Sequence, residues 1–85
     1  MNESPFNFNV TDRASFIEFL AFLHKDFLEN PERWGNKTLP DFLASMSAYA
    51  EDIQGYYDNT NQDNNADVPS WQIFSDIMKG AAIYE

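Results

Sequence analysis

The sequence predicts an all-α fold, a small bundle of three main helices with an extended N-terminal arm. Apolar residues recur at helical spacing in three separate segments, and each segment begins at a capping residue or a proline. No two segments alternate well enough to pair as strands. The alternative is an α+β fold in which Phe6, Phe8 and Val10 form a short N-terminal strand. A strand needs a partner of similar quality, so these residues are read as an arm lying over the bundle. The 85 residues make one domain, 1–85, with a single core. Chains of this size bury only about 60% of their unfolded surface, which predicts modest stability.

The first helix starts at Thr11 or Asp12 and carries Phe16, Phe19, Leu20, Leu23 and Phe27 on one face. It stops near Glu29, because Asn30 precedes Pro31 and proline pushes the residue before it out of the α region. Asn30 to Arg33 can add a short turn. For the second helix, Thr38 is the N-cap, with Pro40 in the first turn and Asp41 three residues on. Its expected core face is Leu39, Phe42, Leu43, Met46, Ala50 and Ile53, and Gly55 is the expected stop, with Tyr56 folding back on Ala50. The third helix opens near Pro69 and Ser70 and turns Trp71, Phe74, Ile77, Met78, Ala81 and Ala82 inward. Leu43 and Phe74 sit at the centres of these expected faces.

Residues 58–67 are polar and read as a flexible linker. Their alternating carboxylates and amides invite comparison with a calcium loop, which needs glycine at its sixth position and a bidentate glutamate at its twelfth. Counting from Asp58 those positions hold Asp63 and Pro69, and from Asp63 they hold Val68 and Phe74, so no metal site is expected. Without cysteine there is no disulfide, thiol chemistry or Cys-ligated zinc, and the single histidine, His24, reads as a boundary residue beside Ile17 and Leu28. No cofactor and no catalytic residue are expected. The polar N-terminal pentapeptide and the absence of a long apolar run point to a cytoplasmic chain.

Charge is the strongest compositional signal. Fourteen acids against five bases give a formal charge of -9, which repels phosphate backbones and anionic lipids and so disfavours nucleic-acid or membrane binding. Residues 38–85 contain eight of the acids and, as their only base, Lys79. A basic protein partner would be drawn to that half. The expected partner-binding residues are Asp41, Glu51 and Asp52 on or beside the outer face of the second helix, and Asp58 just beyond its end. Tyr57, which the helix stop does not explain, joins them. So does Phe22, which is grouped with Glu18, Lys25, Asp26 and Glu29 roughly 100° or more from the first helix's apolar stripe. Covering Phe22 requires the arm, the Tyr56-Tyr57 corner or another protein. Trp34 and Asn36 read as a loop anchor.

Four blocks together form a recognisable pattern: Trp34-x-Asn36-x-Thr38-Leu39-x-x-Phe42-Leu43, Asp52-x-x-Gly55-Tyr56-Tyr57-x-Asn59, Pro69-Ser70-Trp71-x-x-Phe74, and Ala81-Ala82-x-Tyr84-Glu85. The pattern resembles a family of small bacterial proteins classed as domain of unknown function 7660. The resemblance implies a complete domain and carries no activity with it. The functional expectation is therefore a non-enzymatic protein-binding module, in its sharpest form an immunity or inhibitor protein that neutralises a basic partner. The alternatives are a structural or regulatory homodimeric subunit and a carboxylate-based hydrolase.

Overall fold

The computed structural model describes residues 4–84 and contains three helices, α1 (Arg13–Glu29), α2 (Leu39–Asn59) and α3 (Trp71–Ile83). Two short 3-10 turns, Pro5–Asn7 and Pro31–Arg33, complete the regular structure. The fold is an all-α three-helix bundle, and no strand occurs among the described residues.

Local chemistry explains each helix start. Asp12 caps α1: its carboxylate accepts from the Ser15 N–H at 2.8 Å, while the Ser15 hydroxyl accepts from the Asp12 N–H at 3.1 Å. This reciprocal pair satisfies two donors that a helix start leaves orphaned. Thr38 accepts from the Asp41 N–H at 3.2 Å to open α2, and Ser70 accepts from the Ile73 N–H at 3.1 Å to open α3. α1 ends at Asn30, as the following proline requires.

The end of α2 departs from the sequence reading. Gly55 has no positive φ and lies inside the helix, which runs on to Asn59. The left-handed residue is Asn61, at φ 58°, and the Thr60 and Gln62 N–H groups donate to the Tyr56 and Tyr57 carbonyls. An exposed mid-helix glycine costs only about 0.5–1 kcal/mol relative to alanine. Burial of Ile53 and Tyr57 on either side of it outweighs that cost.

The core face of α2 is also turned from its expected position. Ser45, Ile53 and Tyr57 are buried with Phe42, Met46 and Tyr49 partly so, whereas Leu39, Leu43 and Ala50 are exposed. The buried strip therefore lies roughly 50° round the helix from the most apolar one. Small residues on α3 are the reason. Gly80, Ala81 and Ala82 are buried, and Gly80 lies so close to the Tyr49 ring that a Cβ there would stand 2.2 Å from Tyr49 Cδ2. Close approach of the two backbones favours the flat ring of Tyr49 and the small Ser45 over the leucines. On α3 the buried set is likewise Ile73, Ser75, Gly80, Ala81 and Ala82, while Trp71 and Phe74 stay partly exposed.

α1 buries Phe19 and Leu23 against Val10, Trp34 and Ala82. Asp26, expected on the outer side, is buried and occupied: the Trp34 indole N–H donates to its Oδ2 at 3.0 Å, the Asn30 amide to its Oδ1 at 3.2 Å, and Arg33 forms an ion pair with it. These donors compensate the carboxylate for lost hydration and fix the α1–α2 connection. The N-terminal arm packs along the Phe19 and Phe22 side of α1 and reaches α3. Phe8 stacks on Phe19 and meets Phe22 edge-on at 6.0 Å between centroids, and Lys79 of α3 donates to the Phe8 carbonyl at 2.7 Å.

Residues 58–67 are tied down rather than free. The Gln54 side chain donates to the Asn64 carbonyl at 3.1 Å and accepts from the Ala66 N–H at 2.7 Å, which seats Ala66 against the cluster of Ile53, Tyr57 and Ile73. The Gln54 amide from α2, and within the stretch the Asn65 amide oxygen that accepts from the Asp67 N–H at 2.9 Å, thus do the work of turn backbone.

Candidate partner-binding surface

α2 contains no lysine or arginine, and its carboxylates, Asp41, Glu51, Asp52 and Asp58, are all exposed. Their partners among the described residues are neutral: Asp52 accepts from the Tyr84 hydroxyl and Asp58 from the Gln54 amide at 3.0 Å. Both ion pairs among the described residues lie elsewhere, at Arg33–Asp26 and Lys79–Asp76. Helical spacing places Asp41 and Asp52 on one line of α2, with Glu51 and Asp58 on a neighbouring one. Gly55 lies between these lines, with open space where a Cβ would be.

Of the expected contact residues, Tyr57 is interior and Phe22 is half-buried. Tyr57 is fully buried and donates to Asp76 Oδ2 at 2.7 Å, so it is unavailable to a partner. It pairs α2 with α3, and burial first, then the bond to Asp76, pushes its phenol well above the ordinary value. Phe22 is covered in part by Phe8, so the arm is the neighbour it required. His24 is exposed beside an exposed Ile17 and Leu28.

Beside the acidic face of α2 the structure opens a pocket of about 400 Å³. Tyr49 and Tyr56, two turns apart on α2, form one wall, and Asp76, Lys79 and Gly80 on one face of α3 form the floor. Ile83, Tyr84 and the arm's Phe6 complete it. Tyr56 is 46% exposed at the pocket wall instead of packing back on Ala50. Tyr49 and Tyr84 meet edge-to-face at 5.2 Å. Burial, then the neighbouring Tyr56 and Asp76, raises the Tyr49 phenol, and the bond to Asp52 followed by that carboxylate's charge raises Tyr84. Both hydroxyls stay protonated at neutral pH. Tyr49 and Asp76 are absent from the sequence reading, and Tyr84 enters it only within the C-terminal block. Gly80, a glycine inside an apolar helical pattern, was the one available signal of close backbone approach there.

The resembling blocks largely have structural roles. Trp34 packs edge-on against Phe27 at 5.0 Å and holds Asp26, which fixes the strand of chain leading to Asn36. From there the Gly35 and Asn36 N–H groups donate to the Ala82 carbonyl, and the Asn36 amide donates to the carbonyls of Ala81 at 3.0 Å and Tyr84 at 2.7 Å. Ser45 adds a hydroxyl to the Tyr84 carbonyl. Two sequence-distant blocks thereby close the C-terminal end of α3, where helix carbonyls lack internal donors. A model described as a family of unknown function, DUF7660, matches residues 12–85.

The chain belongs to DUF7660. The DUF7660 match begins at the α1 cap, so both the acidic face of α2 and the α3 clamp lie inside it, while the arm with Phe6 and Phe8 lies outside. No curated protein and no solved structure gives a significant match. Among the described residues no helix of this DUF7660 chain is long and apolar enough to cross a membrane, and no three His, Asp or Glu side chains are grouped to hold a metal ion.

Proposed function

We propose that this chain is a non-enzymatic protein-binding module of the bacterial cytoplasm whose partner is basic, in the manner of an immunity or inhibitor protein. One observation carries the reading: the carboxylates of α2 are exposed on a helix without a single cation, while both ion pairs among the described residues are made elsewhere. Uncompensated like charges accelerate the approach of an oppositely charged surface and weaken with salt. A hydrolase would need two carboxylates sharing a cleft. Here Asp26 is occupied by Asn30, Arg33 and Trp34, and the pocket carboxylate Asp76 faces Tyr57 and Lys79.

The test is the variant Asp41→Asn, Glu51→Gln, Asp52→Asn and Asp58→Asn. Amides keep acceptors for Tyr84 and Gln54, so the fold is retained. Binding proteins are recovered from native lysate at low salt, and association rates are measured at two salt concentrations. The variant should associate more slowly and with a shallower salt dependence. Equal rates and slopes for variant and wild type overturn the reading. The homodimer alternative is favoured by one observation, the 68% and 52% exposure of Leu39 and Leu43. Sedimentation of the wild type as a dimer that Leu39→Ser with Leu43→Ser dissociates would support it.

A further inference from the structure

We propose that the tyrosine-lined pocket between α2, α3 and the arm receives an uncharged aromatic side chain of an extended peptide, whose flanking amides run along the arm. The inference goes beyond the partner reading above and is independent of the charge on α2. Four rings, Phe6, Tyr49, Tyr56 and Tyr84, line a space of about 400 Å³, with Ile83 beside them. Pockets that hold ligands have this size and are lined mostly by apolar and aromatic groups. Ring walls favour a planar guest, because aromatic pairs gain from edge-to-face and offset contacts beyond the area they bury.

Charge in the pocket is already balanced. Its lining contains one carboxylate and one ammonium, Asp76 and Lys79, which pair with each other at 3.7 Å. Asp76 also accepts from the Tyr57 hydroxyl at 2.7 Å, and Lys79 donates to the Phe8 carbonyl at 2.7 Å. A charged guest would give up its hydration and meet no free counter-charge, a cost that a neutral ring does not carry. The hydrogen bonds on offer come from neutral groups. The Tyr84 hydroxyl is taken by Asp52, whereas those of Tyr49 and Tyr56 bond to no other group among the described residues.

A peptide is selected by what adjoins the rings. A smaller space of about 170 Å³ shares Phe6, Tyr56, Asp76 and Lys79 with the first and continues along the arm past Asn7, Asn9 and Gln72. A carboxamide carries both a donor and an acceptor, and so matches the C=O and N–H of a peptide unit. Among the described residues the side chains of Asn7, Asn9 and Gln72 make no hydrogen bond, and both asparagines are exposed. A ring seated in the larger space therefore sets its neighbouring peptide units beside free amides, which an unattached small ring would leave unused.

N-acetyl-tyrosine methylamide, a ring with an amide on each side, serves as the probe. It is titrated into the isotope-labelled full chain while the NMR signals of the tyrosine rings and of the Asn and Gln side-chain amides are followed. Saturable shifts should appear at Tyr49, Tyr56 and Tyr84 and at Asn9 and Gln72. The leucine analogue, which lacks the ring, should bind at least about 3-fold more weakly, and the arginine analogue, which brings a charge, at least about 10-fold. Because Tyr56 is half exposed, Tyr56→Ala keeps the fold while weakening the tyrosine probe about 3- to 10-fold. Asn9→Ala with Gln72→Ala should weaken the same probe about 3-fold or more. It should leave unchanged the weaker binding of p-cresol, which is the ring without its amides. Absence of saturable shifts, or leucine or arginine analogues that bind as tightly as tyrosine, overturns the proposal. So does p-cresol binding as tightly as the amide-flanked ring, which would assign the pocket to a small aromatic molecule. Concentration-dependent shifts of the pocket signals without probe also overturn it, by assigning the pocket to a second copy of the chain. None of these outcomes bears on steering by α2, which is read from association rates with a basic partner.

Discussion

Two glycines in helices should respond to the same substitution with opposite sign. Gly55 lies on the exposed face of α2 with nothing within 4 Å of an added Cβ. Replacing it by alanine reduces backbone entropy in the unfolded chain without steric conflict, and should stabilise by about 0.5–1 kcal/mol. Gly80 in α3 offers the same gain, but an added Cβ there lies 2.2, 2.3 and 2.5 Å from Cδ2, Cε2 and Cγ of Tyr49. Ordinary carbon contacts are about 3.5–4.0 Å, so the ring must move by more than an ångström. The involvement of Cγ, near the root of the side chain, means that rotation of the ring alone cannot relieve the clash. Overpacking of this kind costs about 1–3 kcal/mol, which after the helix gain leaves a net loss of about 1–2 kcal/mol. The two variants should therefore differ by about 2–3 kcal/mol, or at least about 10 °C in Tm for a domain of this size. Thermal melts followed by circular dichroism measure this directly. A Tyr49→Ala background supplies the control, since Gly80→Ala should lose its penalty once the ring is gone. If Gly80→Ala raises Tm in the wild-type background as Gly55→Ala does, the close α2–α3 approach inferred from Tyr49 is wrong.

Core contrasts and pH supply two further tests. Leu43→Ala should cost less than about 1 kcal/mol, because the leucine is half exposed, whereas Phe19→Ala should cost about 3–5 kcal/mol; urea midpoints that fall equally would restore Leu43 to the core. Tyr57, Tyr49 and Tyr84 all have phenols raised in the folded state, so the stability they contribute is complete below the unfolded value of about 10 and is lost as pH rises through the folded values. The urea midpoint should fall above about pH 10, and Tyr57→Phe, which removes the most strongly shifted phenol, should make that fall shallower; parallel curves would contradict its burial.

Much of the architecture was legible because it depends on residues close together in the chain. Asp12, Thr38 and Ser70 act on N–H groups three residues away, and proline after Asn30 acts on its immediate neighbour, so all three helix starts and the end of α1 follow from spacing. Gly55 shows where this reasoning stops. Its cap chemistry is permissive rather than obligatory, and burial of Tyr57 two residues later decided that the helix continues. The acidic residues of α2 were likewise visible by type and period. Their lack of cationic partners was not, because it depended on where Lys79 would be spent.

What the sequence by itself determined is the number of helices, their starting points, the overall negative field and the family pattern, all of which rest on composition or short-range spacing. Tertiary structure alone decided which side of each helix is buried. The most apolar stripe of α2 was available for burial, but the approach of Gly80 to Tyr49 and the clamp of Asn36 and Ser45 on the end of α3 turned the helix toward its smaller and more polar side. That rotation left Leu39 and Leu43 exposed, buried Tyr57, and gathered Tyr49, Tyr56, Asp76 and Tyr84 around a single pocket. The physical reason is that a helix stripe records only what can be buried, whereas interhelical distance, set by residues up to 48 positions apart, selects what is.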